Sequence, residues 1–232
     1  MIPTVTRPTL GYSDLERLMA LQLGDEKHSR SATSTLDVIW VLYDRILRVD
    51  PLATRDPDRD RFLLSKGHGP MAYYAVLAAK GFIDPGKLES FGRYDSQLGH
   101  HPDRNLVPGI EISSGSLGHG LGIAVGLALG LRALRSHARV FCLVGDAELE
   151  EGSNHEAIAY AGRFGLEGLT CVVVDNRSSS LGWPGGIASR FAMEGWSAAT
   201  VGGRDHEALE RAFAADHARR PHAVVAVVEQ GS

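Results

Sequence analysis

Two short apolar runs, each leading to a residue with side-chain oxygens, constrain the fold of this chain more than any other feature. Val140–Val144 leads through a glycine to Asp146, and Leu169–Val174 leads through an aspartate to Asn176. Short runs rich in β-branched residues and bounded by turn residues predict buried strands. Open parallel sheets bind ligands at the carboxyl ends of their strands. Carboxylate and amide oxygens there suit Mg²⁺, which keeps coordination positions for substrate phosphates and water.

A plain turn is the simpler explanation, because Gly-Asp turns at strand ends are common in α/β proteins that bind no metal. The wider context favours a cofactor site. Gly145-Asp146 is followed first by a Glu-Gly pair and then by a predicted helix that carries Glu156. The second strand comes after this helix and leads to Asn176. This order resembles the thiamine diphosphate signature, which is Gly-Asp-Gly, about thirty residues and Asn-Asn. Ala147 replaces the second glycine and Arg177 the second asparagine.

Apolar spacing predicts helices that alternate with strands in the second half of the chain. Helices are predicted near Ser13–Leu23, Thr33–Leu47, Met71–Lys80, Leu117–Leu134, Glu150–Phe164 and His206–His217, and strands near Arg139–Gly145, Leu169–Asp175, Ser197–Gly202 and Ala223–Glu229. The polar stretch Arg55–Arg61 is predicted to be a charged loop. Because helices and strands alternate after residue 135, we predict an α/β fold with a doubly wound, mostly parallel sheet flanked by helices.

Segments outside the signature resemble the transketolase family, in the family's order. They are Ser65–Gly69, Gly99–Asp103 and Pro108–Gly120, with weaker matches at Gly195-Trp196 and Gly202–Asp205. The resemblance covers nearly the whole chain. It implies that residues 1–232 form one thiamine diphosphate-binding domain of the PP type, which holds the diphosphate end of the cofactor.

The family also has a pyrimidine-binding domain and a C-terminal domain, and a chain of 232 residues has no room for them. The resemblance therefore implies a complementary subunit that carries both, in an α₂β₂ heterotetramer, and an enzyme that is active only with this partner. The implied reaction transfers a two-carbon ketol unit from a ketose or 2-oxo acid donor to an acceptor. Ser180–Trp183 departs from the family pattern, so we expect a reshaped substrate pocket and a specialised biosynthetic role.

The resemblance also implies roles for individual residues. Cofactor contacts are expected from His68, Gly115, Ser116, Leu117, His119, Gly145, Asp146, Ala147, Glu148, Asn176 and Ser180. The ligands of Mg²⁺ (or Ca²⁺) would be Asp146, the Asn176 side chain and the Ser178 carbonyl. The catalytic candidates are His68 and His101, which would position substrate oxygens and move protons, together with His28 and Glu151.

Two alternative functions remain open from the sequence. The α subunit of a 2-oxo-acid dehydrogenase or decarboxylase also carries the Gly-Asp signature, although the Ser-Gly-Ser-Leu-Gly segment and Gly-His-His-Pro favour transketolase. A structural subunit could keep this fold without turnover. Asp146 and Asn176 argue against it, whereas Ala147 and Arg177 leave it open.

A row of glycines marks one face of the predicted helix Leu117–Leu134. Gly118, Gly122, Gly126 and Gly130 recur every four residues. Each interior glycine costs a helix about 1 kcal/mol relative to alanine, so close packing is needed to offset the row. Either another subunit docks on this face, or the helix packs closely within its own domain.

Composition and charge exclude several classes of function. A net charge of -4 with scattered arginines gives no basic surface for nucleic acid. The most apolar stretch, Leu121–Leu131, is shorter than the about 20 residues that span a bilayer, and no secretory signal opens the chain. Cys142 and Cys171 fall inside predicted strands, where they are expected to be small apolar fillers. We therefore expect a cytoplasmic protein without membrane or nucleic-acid partners.

Overall fold

Parallel strands form the central sheet of the computed structural model, which describes residues 10–22 and 29–228. The strands are β1 (Arg61–Leu64), β2 (Val140–Gly145), β3 (Leu169–Asp175), β4 (Ser197–Gly202) and β5 (His222–Val227), in the spatial order β1-β2-β3-β5-β4. Every neighbouring pair is parallel. Gly145, which ends β2, pairs with Val174 near the end of β3, so the two predicted ligand positions lie at the same edge.

Helices cover both faces of this sheet. They are α1 (Leu15–Ala20), α2 (Ser29–Val41), α3 (Met71–Ala79), α4 (His119–Ala133), α5 (Gly152–Arg163), α6 (Ile187–Met193) and α7 (His206–Phe213). A π-helical turn, Leu42–Ile46, continues α2, and 3₁₀ turns span Tyr12–Asp14, Pro85–Ser90 and Ala147–Glu150.

Successive strand residues point to opposite faces, which separates the core into two clusters. Phe62, Phe141 and Val172 pack with α1, α2, α3 and α7, whereas Cys142 and Val173 pack with α4, α5 and α6. The predicted doubly wound α/β fold is therefore confirmed. The prediction that both cysteines are buried is also confirmed, since each is 0% exposed.

The apolar pattern of the sequence predicts neither β1 nor α6. The stretch Arg55–Arg61 is not wholly a loop, because β1 begins at Arg61. Its partner is β2, with Arg61 beside Val140. Strand β1 has four residues and α6 has seven, so each is too short to show a clear period in the sequence.

The carboxyl ends of β1 and β2 form a topological switch point, which is where α/β folds have their ligand crevice. After β1 the chain passes to α3 on one face of the sheet, and after β2 it passes to α5 on the other. Because the two connections diverge, they leave a groove at the sheet edge, where α/β folds bind their ligands. The segments that line this position are Ser65–His68 after β1 and Asp146–Glu150 after β2.

The glycine row of α4 faces outward. A Cβ atom added at Gly122, Gly126 or Gly130 would meet no atom within 4 Å. The interpretation of the row as an internal packing face is therefore wrong for these three positions. Docking of another subunit on this face stays a prediction. No helix within the described ranges has the length and apolar character needed to cross a bilayer.

Candidate active site

The carboxylate of Asp146 is buried where β2 ends, and it is 1% exposed. Ser178, in the loop after β3, donates its backbone N–H to Oδ2 and its hydroxyl to Oδ1, each at 2.6 Å. The N–H of Ser179 also donates to Oδ2, at 3.0 Å. The Oδ1 atom of Asn176 is buried as well. The structure thus brings Asp146 and Ser178 together, with Asn176 two residues before Ser178.

Glu148, a predicted cofactor contact, connects several segments of the site through its side chain. Its carboxylate is 1% exposed and accepts hydrogen bonds from the Ser65 hydroxyl, from Gly118 N–H at 3.0 Å and from Gly145 N–H at 3.2 Å. Burial raises the pKa of Glu148, although these donors favour its charged form. The side chain therefore ties together the ends of β1 and β2 and the turn that begins α4.

Lys66 is a residue of the crevice to which the sequence analysis gave no role. Its aliphatic chain runs along Gly145, where an added Cβ would lie 3.1 Å from Lys66 Cδ, and its Nζ donates to Ser34 Oγ at 3.2 Å. Burial lowers the pKa of Lys66 to about 8, against the opposing effect of Asp146 and Glu148. Its sequence signal was its place in Ser65–Gly69, a segment already singled out for the resemblance.

The two main catalytic candidates lie together. The rings of His68 and His101 meet edge to face, with their centroids 5.3 Å apart. Gly115 passes beside them with φ of +136°, and an added Cβ would lie 2.7 Å from His101 Cδ2. His68 is half-buried and His101 is exposed. The predicted catalytic histidines therefore lie beside Gly115, one of the residues that are expected to contact the cofactor.

Gly115→Ala is expected to displace His101 and to destabilise the fold by about 1–3 kcal/mol, because the new side chain meets the imidazole in a strained backbone conformation. Chemical denaturation and the NMR signals of the His101 ring measure the two effects. Gly122→Ala is the control, since its helical position has open space and alanine there gains up to about 1 kcal/mol. Equal stability of the two variants would contradict the assigned contact.

The other predicted residues occupy different surroundings. Ser116, His119, Glu151 and Ser180 are exposed and Leu117 is half-buried. Ala147 opens its 3₁₀ turn with a negative φ, so alanine stands in for the family's glycine without strain. Arg177 has φ of +58°, a left-handed conformation that asparagine adopts more readily. His28 lies outside the described residues.

The residues present fit a magnesium-bound diphosphate. Asp146 and Glu148 both act on the buried cation Lys66, so two acids face one base and the excess negative charge can be balanced by a divalent ion. In the described part of the chain, no three His, Cys, Asp or Glu side chains form a metal cage. The predicted donors are one carboxylate, one amide oxygen and a backbone carbonyl. Such a partial set suits Mg²⁺ that is completed by phosphate oxygens and water.

Comparison with known proteins decides the family. The family model described as the transketolase thiamine diphosphate binding domain matches residues 17–229. The chain belongs to the transketolase family. The predicted resemblance is thereby confirmed, and the site described above lies within a thiamine diphosphate-binding domain.

The similar proteins include one that is named a transketolase subunit and a solved transketolase that is much longer than this chain. Ferredoxin fas2 of Rhodococcoides fascians is 56% identical over 222 residues, covering 95% of this chain and 73% of that protein. An apulose-4-phosphate transketolase subunit of Phocaeicola vulgatus is 34% identical over 212 residues, covering 88% and 75%. The solved transketolase from Leishmania mexicana superposes with a TM-score of 0.80 at 25% identity. That match covers 94% of this chain and 37% of the solved one.

The word ferredoxin in the first of these names does not carry over to this transketolase-family chain. Ferredoxin clusters are held by four cysteine thiolates. This sequence has two cysteines, Cys142 and Cys171, which are buried as free thiols on neighbouring strands. The similarity therefore concerns the thiamine diphosphate-binding domain.

Proposed function

We propose that this chain is the N-terminal subunit of a two-component transketolase-like enzyme. It binds the diphosphate and Mg²⁺ end of thiamine diphosphate and takes part in transfer of a two-carbon ketol unit from a ketose or 2-oxo acid to an acceptor. The observation that carries this proposal is the buried pairing of Asp146 with Ser178 at one sheet edge of a transketolase-family domain. When bound, thiamine diphosphate supplies the electron sink for breaking a carbon–carbon bond next to a carbonyl.

Separate residues of this chain bind the cation and attract the anionic diphosphate. Asp146, Asn176 and Ser178 hold the cation. Lys66 adds a positive charge near Asp146, and because Lys66 is buried this charge attracts a bound anion more strongly than it would in water.

The histidines act on the substrate side of the crevice. His68 and His101 hold substrate oxygens and move protons at their ring nitrogens, a task that suits imidazole near neutral pH. Their edge-to-face contact keeps both rings beside Gly115.

A complementary subunit supplies the pyrimidine-binding and C-terminal domains in this proposal, in an α₂β₂ assembly. Its support is the similarity to a protein whose name describes it as one subunit of a transketolase, over 75% of that protein's length. Full-length relatives are larger, and this chain spans 37% of the solved transketolase.

Calorimetric titration of thiamine diphosphate with Mg²⁺ tests the proposal, with the chain alone and mixed with a co-encoded pyrimidine-domain subunit. We expect weak or no binding to the chain alone, because half of the cofactor site is on the partner, and clear binding and ketol transfer by the mixture. Titration in chelator is the control for the metal. Absence of binding in both cases would overturn the catalytic proposal and favour a structural subunit.

A further inference from the structure

Glu150 anchors the loop that follows β3. This residue ends the 3₁₀ turn after Asp146. Its Oε1 accepts the Ser179 hydroxyl at 2.5 Å, Leu181 N–H at 2.6 Å and Ser180 N–H at 2.7 Å, and its Oε2 accepts the Ser180 hydroxyl at 2.9 Å. The Ser179 hydroxyl and the Leu181 amide are the main causes that lower the pKa of Glu150 to about 2.

Two acids therefore share the donors of one loop. The N–H groups of Ser178 and Ser179 donate hydrogen bonds to Asp146, and those of Ser180 and Leu181 donate to Glu150. The short turn Ala147–Glu150 places both carboxylates on the side that faces the loop.

Of these two acids, only Asp146 is a proposed ligand of the cation. The hydroxyl of Ser178 occupies Oδ1 of Asp146, so a cation at that oxygen would compete with a loop contact. The donor atoms that bind Glu150 differ from those that bind Asp146, so a cation at Asp146 would not compete for them directly.

We propose that Glu150 is a positioning residue that fixes Ser178–Leu181, so that Asp146 is available to the cation and the Ser178 carbonyl stays beside it. This inference rests on the proposed function for the cation and its diphosphate. Ser180 and Leu181, which donate to Glu150, lie in the segment Ser180–Trp183 that departs from the family pattern.

Glu150→Gln tests the inference in the full chain mixed with the partner subunit. Glutamine has one acceptor oxygen and no charge, so the amides of Ser180 and Leu181 should exchange hydrogen about tenfold faster. The Mg²⁺-dependent affinity for thiamine diphosphate should fall about tenfold, as for other groups that orient metal ligands. Glu167→Gln is the matched control, because Glu167 accepts one backbone N–H, from Arg219 at 3.1 Å, next to the start of β3 at the far sheet edge.

The two readouts separate the possible failures. Unchanged exchange at Ser180 and Leu181 would overturn the anchor, and faster exchange with unchanged affinity would overturn its role toward the cofactor. A wild-type mixture that binds no thiamine diphosphate would overturn the proposed function and the cofactor role together, while the exchange rates still decide whether Glu150 holds the loop. Circular dichroism of Glu150→Gln checks that the variant folds.

Discussion

Asp146→Asn is expected to lower the Mg²⁺-dependent affinity for thiamine diphosphate by at least about a hundredfold. Loss of a group that merely orients a metal ligand already costs about 10- to 100-fold, and Asp146 is itself a proposed ligand and the one carboxylate among the three. Asparagine also places an amide group where Ser178 and Ser179 donate, so it repels the loop that carries the Ser178 carbonyl. Calorimetry of the mixture with the partner subunit measures the loss.

Asp175→Asn is the matched control for this result. Asp175 ends β3 at the same sheet edge, and its carboxylate accepts one backbone N–H, from Arg177 at 3.1 Å. The substitution makes the same change of charge, and we expect it to alter the affinity less than about threefold, which is less than 1 kcal/mol. Equal losses in the two variants would point to a general charge effect. Retained binding in Asp146→Asn would show that the ligand assignment is wrong.

The sequence could predict those parts of the fold that have a strong local hydrophobic pattern. Strand β2 is apolar from Val140 to Val144 and β3 from Cys171 to Val174, and the predicted bounds match within a residue. The placement of Asp146 and Asn176 at one edge then follows from parallel pairing. The family resemblance singled out His68 and His101, because both lie in distinctive Gly-rich segments.

The parts that sequence could not predict depend on side chains that meet across long separations. The hydroxyl of Ser65 reaches Glu148 across 83 positions, and Glu150 reaches Ser180 across 30. Neither contact leaves a periodic signal, because each side chain is polar and stands in a turn. The run Ser178–Ser180 was a usable hint, since three hydroxyls beside an acidic turn require acceptors.

A buried acid before β1 is the other feature that sequence analysis passed over. Asp60 lies in the stretch predicted as a charged loop, yet it is 0% exposed. Its carboxylate accepts the backbone N–H of Arg48 at 3.0 Å and of Arg139 at 2.8 Å, and both guanidinium groups as well. Asp60 thereby joins the residues that precede β1 and β2, the two strands whose far ends border the crevice.

Asp60→Asn is expected to destabilise the fold by about 3 kcal/mol, because it leaves buried donors facing an amide instead of a carboxylate. The Arg48 and Arg139 side chains are 54% and 38% exposed, so water can replace some of the hydrogen bonds that they lose. The expected destabilisation is therefore at the low end of the about 3–5 kcal/mol that breaking a buried ion pair costs. Urea denaturation measures the change. Asp44→Asn is the control, since Asp44 pairs with Lys80 at 33% side-chain exposure and should contribute less than about 1 kcal/mol.

The pH dependence of this difference separates an ion pair from simple packing. Burial alone would raise the pKa of Asp60, but the hydrogen bonds from Arg48 and Arg139 outweigh it and lower that pKa. The stabilisation is therefore present above the ordinary value of about 4 and is lost as the pH falls through the lower folded value. We expect wild type and Asp60→Asn to converge in stability on acidification below pH of about 4. A difference that stays constant with pH would mean that Asp60 stabilises the fold through its shape and not through its charge.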